Sequence, residues 1–421
     1  MKREGFLMTK RRYDLHIHTE QLGMQAAELV VVEAHHALEA IGFRYLPGYL
    51  ASEHAFPLDP SALPLDERGF EFRGGAIPGV VDDYLPDDWG RRILSQIAFY
   101  QHQKKYNPNS IIDSLDMLSR SRIGGLSIVS QGEQPQFDFG ANIAQTGIAE
   151  SAAQRMDAPE ARDSYDEASL LYLADNGTGI GGARPKALLH DAEKRYIAKF
   201  NRPAVDRYNN ARVELACMKM ARKANIEILD GFVQSGINER EVLLVERFDV
   251  NPDKSRNHMI SINTLLRDSE SQRMAHHAFR YDDIYHMLQQ FSVAIEEDVM
   301  ALLRLMLFNR AINNTDDHER NFSLIYRMGD SQPHGYRLAP AYDLVPTTIR
   351  GGYHAAGYKQ SPNPPSLSEL ESAQRIFGLS RSIVSQCVAE VGDAISQWGE
   401  IAKACGVDPE EAKMVRGFFN H

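Results

Sequence analysis

The side chains best suited to chemistry lie in N-T-D-D-H-E-R-N, Asn314 to Asn321, and in Y-D-L-V-P, Tyr342 to Pro346. The first segment spells D-x-x-x-x-N between Asp316 and Asn321, and the second brings a further carboxylate, Asp343. In-line transfer of a γ-phosphoryl group asks little covalent help of a protein. It needs one carboxylate to take the acceptor hydroxyl's proton, and oxygen ligands for a Mg²⁺ that bridges the phosphates. Asp316, Asn321 and Asp343 carry those oxygens. A short loop folding back on itself lets Asp316 face the acceptor while Asn321 faces the metal, with Asp343 arriving from a separate segment. Alone, the pattern also has a plainer meaning, because Asp and Asn in loops commonly make turns and helix caps.

Further features stand upstream in the order that an ATP site requires. D-N-G-T-G-I-G-G-A-R-P-K, Asp175 to Lys186, contains G-x-G-x-x-G at Gly177, Gly179 and Gly182. Missing β-carbons let backbone N–H groups approach phosphate oxygens. A dinucleotide fingerprint would need a helix next, yet Pro185 and then K-A-L-L-H, D-A-E-K and R-Y-I-A-K-F predict strand, turn, strand. No G-K-[ST] follows, which excludes a Walker loop. Lys199, in the second strand, is either an edge gatekeeper or a charge held for a ligand, and the glycine loop beside it favours the ligand. Asn209 to Ala224 has helical apolar spacing; its Glu214 either meets Lys199 or decorates a solvated face. L-L-V-E-R-F-D, Leu243 to Asp249, predicts a buried strand whose backbone at Glu246, Arg247 and Phe248 can pair with an adenine edge. Phe248 either stacks on that ring or joins the core.

As an ordered set, G-G-A-R-P-K, Y-I-A-K-F, V-E-R-F-D, N-T-D-D-H-E-R-N and L-A-P-A-Y-D-L-V-P resemble the HipA family of bacterial serine/threonine kinases, the toxin half of HipA/HipB toxin–antitoxin pairs. F-P-L-D-P-S-A-L-P-L, Phe56 to Leu65, and Y-L-P-D-D-W-G-R-R-I-L, Tyr84 to Leu94, extend the likeness to the amino-terminal half. The resemblance implies ATP and Mg²⁺ as cofactors, with Asp316 as the catalytic aspartate and Asn321 and Asp343 as metal ligands. It implies Lys199 on the α/β-phosphates, Gly181, Gly182, Ala183, Arg184, Pro185 and Lys186 as the phosphate loop, and Glu246, Arg247 and Phe248 around adenine. His318 and Tyr342 would line the nucleotide site; His318 has the alternative of holding the loop in shape. One departure concerns the serine that many family toxins autophosphorylate in the glycine loop: Gly179 stands there, beside Thr178. The implied partners are a protein substrate, such as an aminoacyl-tRNA synthetase or another translation factor, and a HipB-like helix-turn-helix antitoxin through which DNA is contacted indirectly.

Composition sets outer bounds. At 421 residues, 43% hydrophobic and 24% charged, the chain is globular and exceeds one ordinary core. The expected fold class is α+β: a two-lobed protein-kinase-like fold with a mainly helical large lobe and an additional α/β N-terminal domain. The expected domains are 1–160, 161–249 for the small lobe and 250–421 for the large lobe, with the first break in the polar, proline-interrupted stretch 151–164. A long helix is expected around Gln25 to Ile41, and a buried helix over Val299 to Phe308 feeding the catalytic loop. The stretch 251–280 is expected as a solvated loop or the wall of a substrate groove. A net charge of −11 argues against independent binding to a phosphate backbone. Three scattered cysteines fit packing in a reducing cytoplasm, and no stretch has the apolar length of a signal peptide or membrane span, so no membrane partner is expected. Met1 and Met8 both offer a start.

One rival pattern is Y-D-L-H-I-H-T, Tyr13 to Thr19, which is similar to the start of a PHP-type metal phosphoesterase. Asp14, His16 and His18 alternate on a strand and could ligate metals, but no matching motif follows, and an amino-terminal strand with two solvent-facing histidines is favoured. A kinase fold acting on a small molecule or lipid, and a catalytically weak co-repressor bound to its antitoxin, are the two alternatives to a protein kinase.

Overall fold

The computed structural model describes residues 8–102, 106–118, 122–137, 139–157, 172, 176–177, 184–202, 205–236, 241–267, 278–328, 334–348, 352–370 and 375–420. The chain divides into two compact units, 1–200 with 249–260 and 201–248 with 261–421. These divisions fall elsewhere than the three expected domains. The polar stretch 151–164 falls within the range of the first unit, and its residues 158–164 lie outside the described ones.

The first unit is built on a five-stranded antiparallel sheet ordered Phe70–Arg73, Ala37–Tyr45, Gly23–Ala34, Met8–His18, Leu126–Ser130. Alternating side chains fill one face: Leu15, Ile17, Leu29, Val31, Ile41 and Phe43 are each at most 1% exposed. The long helix expected over Gln25 to Ile41 is not formed; that segment is two strands of a hairpin. Ala, Glu and Leu suggested a helix, yet Val30, Val31 and Val32 are stiff β-branched residues, and the burial alternates with period two. The turn is His35-His36, both left-handed at φ 52 and 63, between the paired Ala34 and Ala37. A two-residue turn of this type needs two positive φ values and usually announces itself as Asn-Gly. His-His hides it.

The strand–turn–strand expected after the glycine loop is present as Lys186–His190 and Arg195–Phe200, paired antiparallel. Asp191 closes the turn, its carboxylate accepting the N–H groups of Glu193 at 2.8 Å and Lys194 at 2.6 Å. Those bonds, the Lys194 N–H above all, hold the carboxyl below its ordinary pKa. A short strand, Ala141–Asn142, pairs parallel to the outer edge of Lys186–His190. Gly140 precedes it at φ 95, where any Cβ would come within 2.1 Å of the Leu188 carbonyl oxygen, so only glycine fits.

His258, 1% exposed, donates from Nε2 to the Leu58 carbonyl at 2.8 Å. Burial pushes its pKa from 6.5 down to about 4. The unfolded chain therefore binds this proton first as pH falls. The stability contributed by neutral His258 is complete above pH 6.5 and is lost between there and about pH 4. At 1.36 kcal/mol per pKa unit the loss is at most about 3 kcal/mol. In urea titrations at pH 7.5 and pH 4, the wild type should lose about that much more stability than His258→Gln; equal losses would refute the assignment.

The second unit is mainly helical and organised around Ile295–Ile312. The buried helix expected over Val299 to Phe308 is found and runs one turn further at each end. Leu302, Leu303, Met306, Leu307 and Phe308 are fully buried. Arg304, which interrupts this run, ion-pairs with Glu390 of the helix Arg381–Ser396 at 2.6 Å. Glu296, Glu297 and Asp298 occupy the first turn, where negative charge suits the helix dipole. Asp298 also accepts from Ser292 Oγ at 2.6 Å, the Leu338 N–H at 2.9 Å and Arg337 Nε at 3.0 Å, which ties the helix start to the hairpin Ser323–Arg327/Gly335–Leu338. The helix ends on Asn313 in the left-handed conformation at φ 59. That cap turns the chain directly into the D-x-x-x-x-N segment.

The helix Asn210–Lys223 is capped by Asn209, whose side chain accepts the Arg212 N–H at 3.3 Å. Its Glu214 is 7% exposed, which removes the solvated-face alternative. All three cysteines are buried and free, as packing residues are. Among the described residues no helix is long and apolar enough to cross a membrane. In the stretch 251–280, a short strand and helix, His258–Ser261 and Ile262–Arg267, replace part of the expected loop, and 268–277 lie outside the described residues.

Candidate functional site

Asp316 stands exposed on the loop between the Asn313 cap and the single turn Glu319–Asn321. The loop does fold back on itself. Asn321 Nδ2 donates to the Asp316 carbonyl at 2.5 Å, which consumes the amide's donor end and leaves its oxygen to face elsewhere. Upstream, the Thr315 N–H and Thr315 Oγ1 both donate to Thr347 Oγ1, at 2.9 and 2.8 Å, and the Thr315 carbonyl accepts the Ala355 N–H at 3.0 Å. The Asp316 side chain is exposed, and these backbone tethers flank it on either side.

Asp343 is half-buried and left-handed at φ 54, a conformation that Asp and Asn tolerate better than other side chains. Its carbonyl accepts from Asn314 Nδ2 at 3.3 Å, so the first residue of the N-T-D-D-H-E-R-N segment holds the backbone of the second carboxylate. Asp316, Asn321 and Asp343 are thus linked through one loop. The donors are carboxylate and amide oxygens, the set a hard cation prefers. Among the described residues no group of three or more His, Cys, Asp or Glu is placed to hold a metal ion. A Mg²⁺ needs none: it is ordinarily bound by one or two side-chain oxygens, with phosphates and water completing the octahedron.

Tyr342 accepts from or donates to Ser323 Oγ at 2.7 Å and donates to the Arg320 carbonyl at 3.1 Å, and its ring lies 6.0 Å from that of Phe248 at an interplanar angle of 26°. Phe248 is half-buried. Phe248 follows the strand Glu241–Glu246, whose Val242, Leu243 and Leu244 are fully buried. This agrees with the expected buried strand. Arg247 is 5% exposed, and the Glu246 N–H is committed to the Asp230 carbonyl at 2.8 Å. His318 caps the turn after Asp316: Nδ1 accepts the Arg320 N–H at 3.2 Å, and its carbonyl accepts the Asn321 N–H at 2.9 Å. The loop-shaping alternative for His318 is therefore realised.

In the first unit, Lys186 and Lys199 are directly opposite partners in the hairpin and share one face. Lys186 is 7% exposed and Lys199 half-buried. Arg184 is exposed and Pro185 buried, the Pro185 carbonyl accepting the Phe200 N–H at 3.3 Å. Gly181, Gly182 and Ala183, with Thr178 and Gly179, lie outside the described residues. Gly177, first of the G-x-G-x-x-G, is closely packed. A Cβ there would meet the Lys186 carbonyl oxygen at 3.1 Å and Ile93 Cδ1 at 3.3 Å. Trp89, fully buried, donates from Nε1 to that same carbonyl at 3.4 Å. The W-G-R-R-I-L motif thus packs against the start of the glycine loop.

In the rival histidine pattern the side chains have other surroundings, and among the described residues they are not grouped to hold a metal ion. Asp14 is buried and accepts the Gly132 N–H at 2.8 Å, while His18 stacks on Phe137 at 4.6 Å. His16 and His18 are half-buried rather than solvent-facing, and desolvation lowers both pKa values.

Several buried groups around the loop were not singled out from sequence. Asp317, fully buried, accepts from Tyr281 OH and from His354 Nδ1, both at 2.8 Å, and from the Ala356 N–H at 3.2 Å. Asn309 Nδ2 donates to Tyr281 OH at 3.0 Å, and Asn309 Oδ1 accepts from Asn314 at 3.1 Å. The signal available in sequence was the doubled aspartate itself. Nothing local says that one of the two acids is buried, or which one.

Comparison with known proteins places this geometry. Residues 178–398 match the family model of the HipA-like C-terminal domain. A Sinorhizobium fredii protein, Y4mE, whose name marks it as a candidate kinase, is 25% identical over 324 residues, covering 73% of this chain and 72% of its own. Among solved structures, the Shewanella oneidensis HipA toxin, determined in complex with HipB and its operator DNA, superposes with a TM-score of 0.63 at 18% identity, covering 96% of this chain and 94% of that one. A looser likeness, TM-score 0.42 at 11% identity over 57% of this chain and 89% of that one, is to the Helicobacter pylori proinflammatory kinase CtkA. The family model spans more than half of the sequence and the solved HipA shares its fold from end to end: the chain belongs to the HipA family and has that family's α+β, kinase-like fold.

Proposed function

We propose that this protein is an ATP- and Mg²⁺-dependent kinase that phosphorylates serine or threonine on a protein acceptor in the cytoplasm, as the toxin of a toxin–antitoxin pair. The observation that carries the proposal is the folded loop in which Asn321 bonds the backbone of Asp316 and Asn314 bonds the backbone of Asp343. That arrangement supplies one exposed carboxylate for an acceptor and two oxygen ligands, the base and metal-holding parts of a phosphoryl-transfer site.

When bound, Mg²⁺ and ATP supply the transferable phosphoryl group and the neutralisation of its charge. Asp316 orients the acceptor hydroxyl and takes its proton as the oxygen bonds to phosphorus and the bond to the ADP oxygen breaks. Asn321 and Asp343 hold the metal. Lys186 and Lys199 serve the phosphates with Gly181, Gly182, Ala183 and Arg184; two cations directly opposite each other on one hairpin face suit a polyphosphate. The backbone of Glu246 to Phe248 meets adenine, with the Phe248 and Tyr342 rings as an apolar wall. A HipB-like antitoxin as partner rests on the Shewanella complex and on the acidic net charge, which leaves DNA contact to the partner.

Labelled ATP incubated with the protein and a bacterial lysate should place acid-stable label on serine or threonine of a macromolecular acceptor, and excess EDTA should abolish it. Label confined to small molecules would transfer the assignment to a small-molecule kinase. Incorporation unaffected by EDTA would exclude the mechanism.

A further inference from the structure

Beside the exposed Asp316 stands a carboxylate with no access to solvent. Asp317 is fully buried, and a buried carboxylate is tolerated only where donors replace water. Three do: Tyr281 OH, His354 Nδ1 and the Ala356 N–H. These come from the helix Tyr281–Phe291 and from the segment 354–356, so one side chain joins the loop to two remote parts of the second unit.

The network continues past Asp317. Tyr281 OH accepts from Asn309 Nδ2 at 3.0 Å, Asn309 Oδ1 accepts from Asn314 Nδ2 at 3.1 Å, and the same Asn314 amide donates to the Asp343 carbonyl at 3.3 Å. Asn309 and Asn314 are also joined through their backbones at 2.9 Å. Every side chain on this path is buried: Tyr281 and Asp317 are 0% exposed, Asn309 2% and Asn314 3%. In such a medium each broken link leaves an unsatisfied group without water to replace it, so the chain acts as a unit. Burial and the Asp317 charge push the Tyr281 phenol well above its ordinary pKa, which keeps it a donor.

Resting on the kinase assignment above, we infer that Asp317, Tyr281, Asn309, Asn314 and His354 are positioning residues that lock the acceptor-base loop to the backbone of Asp343, so that the base and the metal carboxylate keep one spacing. None of them touches the reactants. Asp316 and Asp343 are contributed by different segments, and the spacing between them has to be maintained within a fraction of an ångström for in-line transfer.

Tyr281→Phe is the mildest cut, since it removes one oxygen and keeps the ring's packing against Phe322 at 5.5 Å. In the variant without nucleotide or metal, hydrogen exchange of peptides covering 314–321 and 341–347 should quicken by about tenfold or more, while helix 381–396 exchanges as in the wild type. With ATP and Mg²⁺, kcat per nucleotide-binding site should fall about tenfold or more, half-saturating Mg²⁺ should rise, and the KM for ATP should change less than about twofold. His354→Asn, which keeps a donor at the Nδ1 position, should recover most of the kcat lost in His354→Ala. Unchanged exchange in both loops, or a loss of activity fully explained by fewer nucleotide-binding sites, overturns the positioning role. Asp316→Asn serves as the reference: if it keeps wild-type turnover, the kinase mechanism falls and this inference with it, whereas an inert Asp316→Asn beside a fully active Tyr281→Phe defeats the positioning role alone.

Discussion

Alanine at Asp316 should lower kcat by about 10²- to 10⁴-fold, the usual worth of a positioned general base. The structure favours this test, because the loop has backbone tethers that the substitution leaves in place. Its tethers are the Thr315 and Asp316 backbone carbonyls and the Thr347 hydroxyl, all of which survive the substitution. Asp316 is exposed, and exposed side chains removed from such sites usually change stability by no more than about 0.5 kcal/mol. Steady-state kinetics on protein acceptor, with thermal melts alongside, should show a large loss of kcat, an unmoved melting temperature and little change in nucleotide affinity. Phosphorylation at the wild-type rate in Asp316→Ala would defeat the assignment of the base.

The second large effect is expected at Asp343 and at the metal it would hold. Asp343→Asn keeps side-chain size and tolerates the left-handed backbone at φ 54, whereas alanine there would add strain of about 1 kcal/mol. The carbonyl that accepts from Asn314 is untouched, so the loop remains tied. Losing one ligand charge should cost about 10²-fold or more in kcat and raise the Mg²⁺ needed for half-maximal rate, since charge neutralisation is most of what a protein offers phosphoryl transfer. In the wild type, EDTA should abolish turnover and added Mg²⁺ should restore it. A Mg²⁺ titration on Asp343→Asn that overlays the wild type would remove Asp343 from the metal.

Local patterns were legible where local physics decides the outcome. K-A-L-L-H and R-Y-I-A-K-F around a polar turn could be read as a hairpin because Asp191 carries the turn's bonds within its own segment. The helix of Val299 to Phe308 was legible from its long apolar run, interrupted by Arg304 alone; the arginine's partner Glu390 comes from a remote helix that no local window contains. The hairpin over Gln25 to Ile41 was misread because helix-forming alanines and glutamates outweighed three valines, and a His-His turn carries no hairpin signature. Sheet pairing across the unit, not propensity, settled that segment.

The functional loop divides in the same way. Residue type and spacing alone determined that Asp316, Asn321 and Asp343 were the oxygens to watch, because phosphoryl transfer needs those atoms and few side chains carry them. The order of glycine loop, strand lysine and D-x-x-x-x-N was likewise written along the chain. Only the tertiary structure decided which of the two adjacent aspartates faces outward, that Gly177 lies close against the Lys186 carbonyl and Ile93, and that Tyr281, Asn309 and His354 converge behind the loop. Burial and hydrogen-bond partnership are properties of segments distant in sequence meeting in space. A single position carries no mark of either until the fold brings its partners to it.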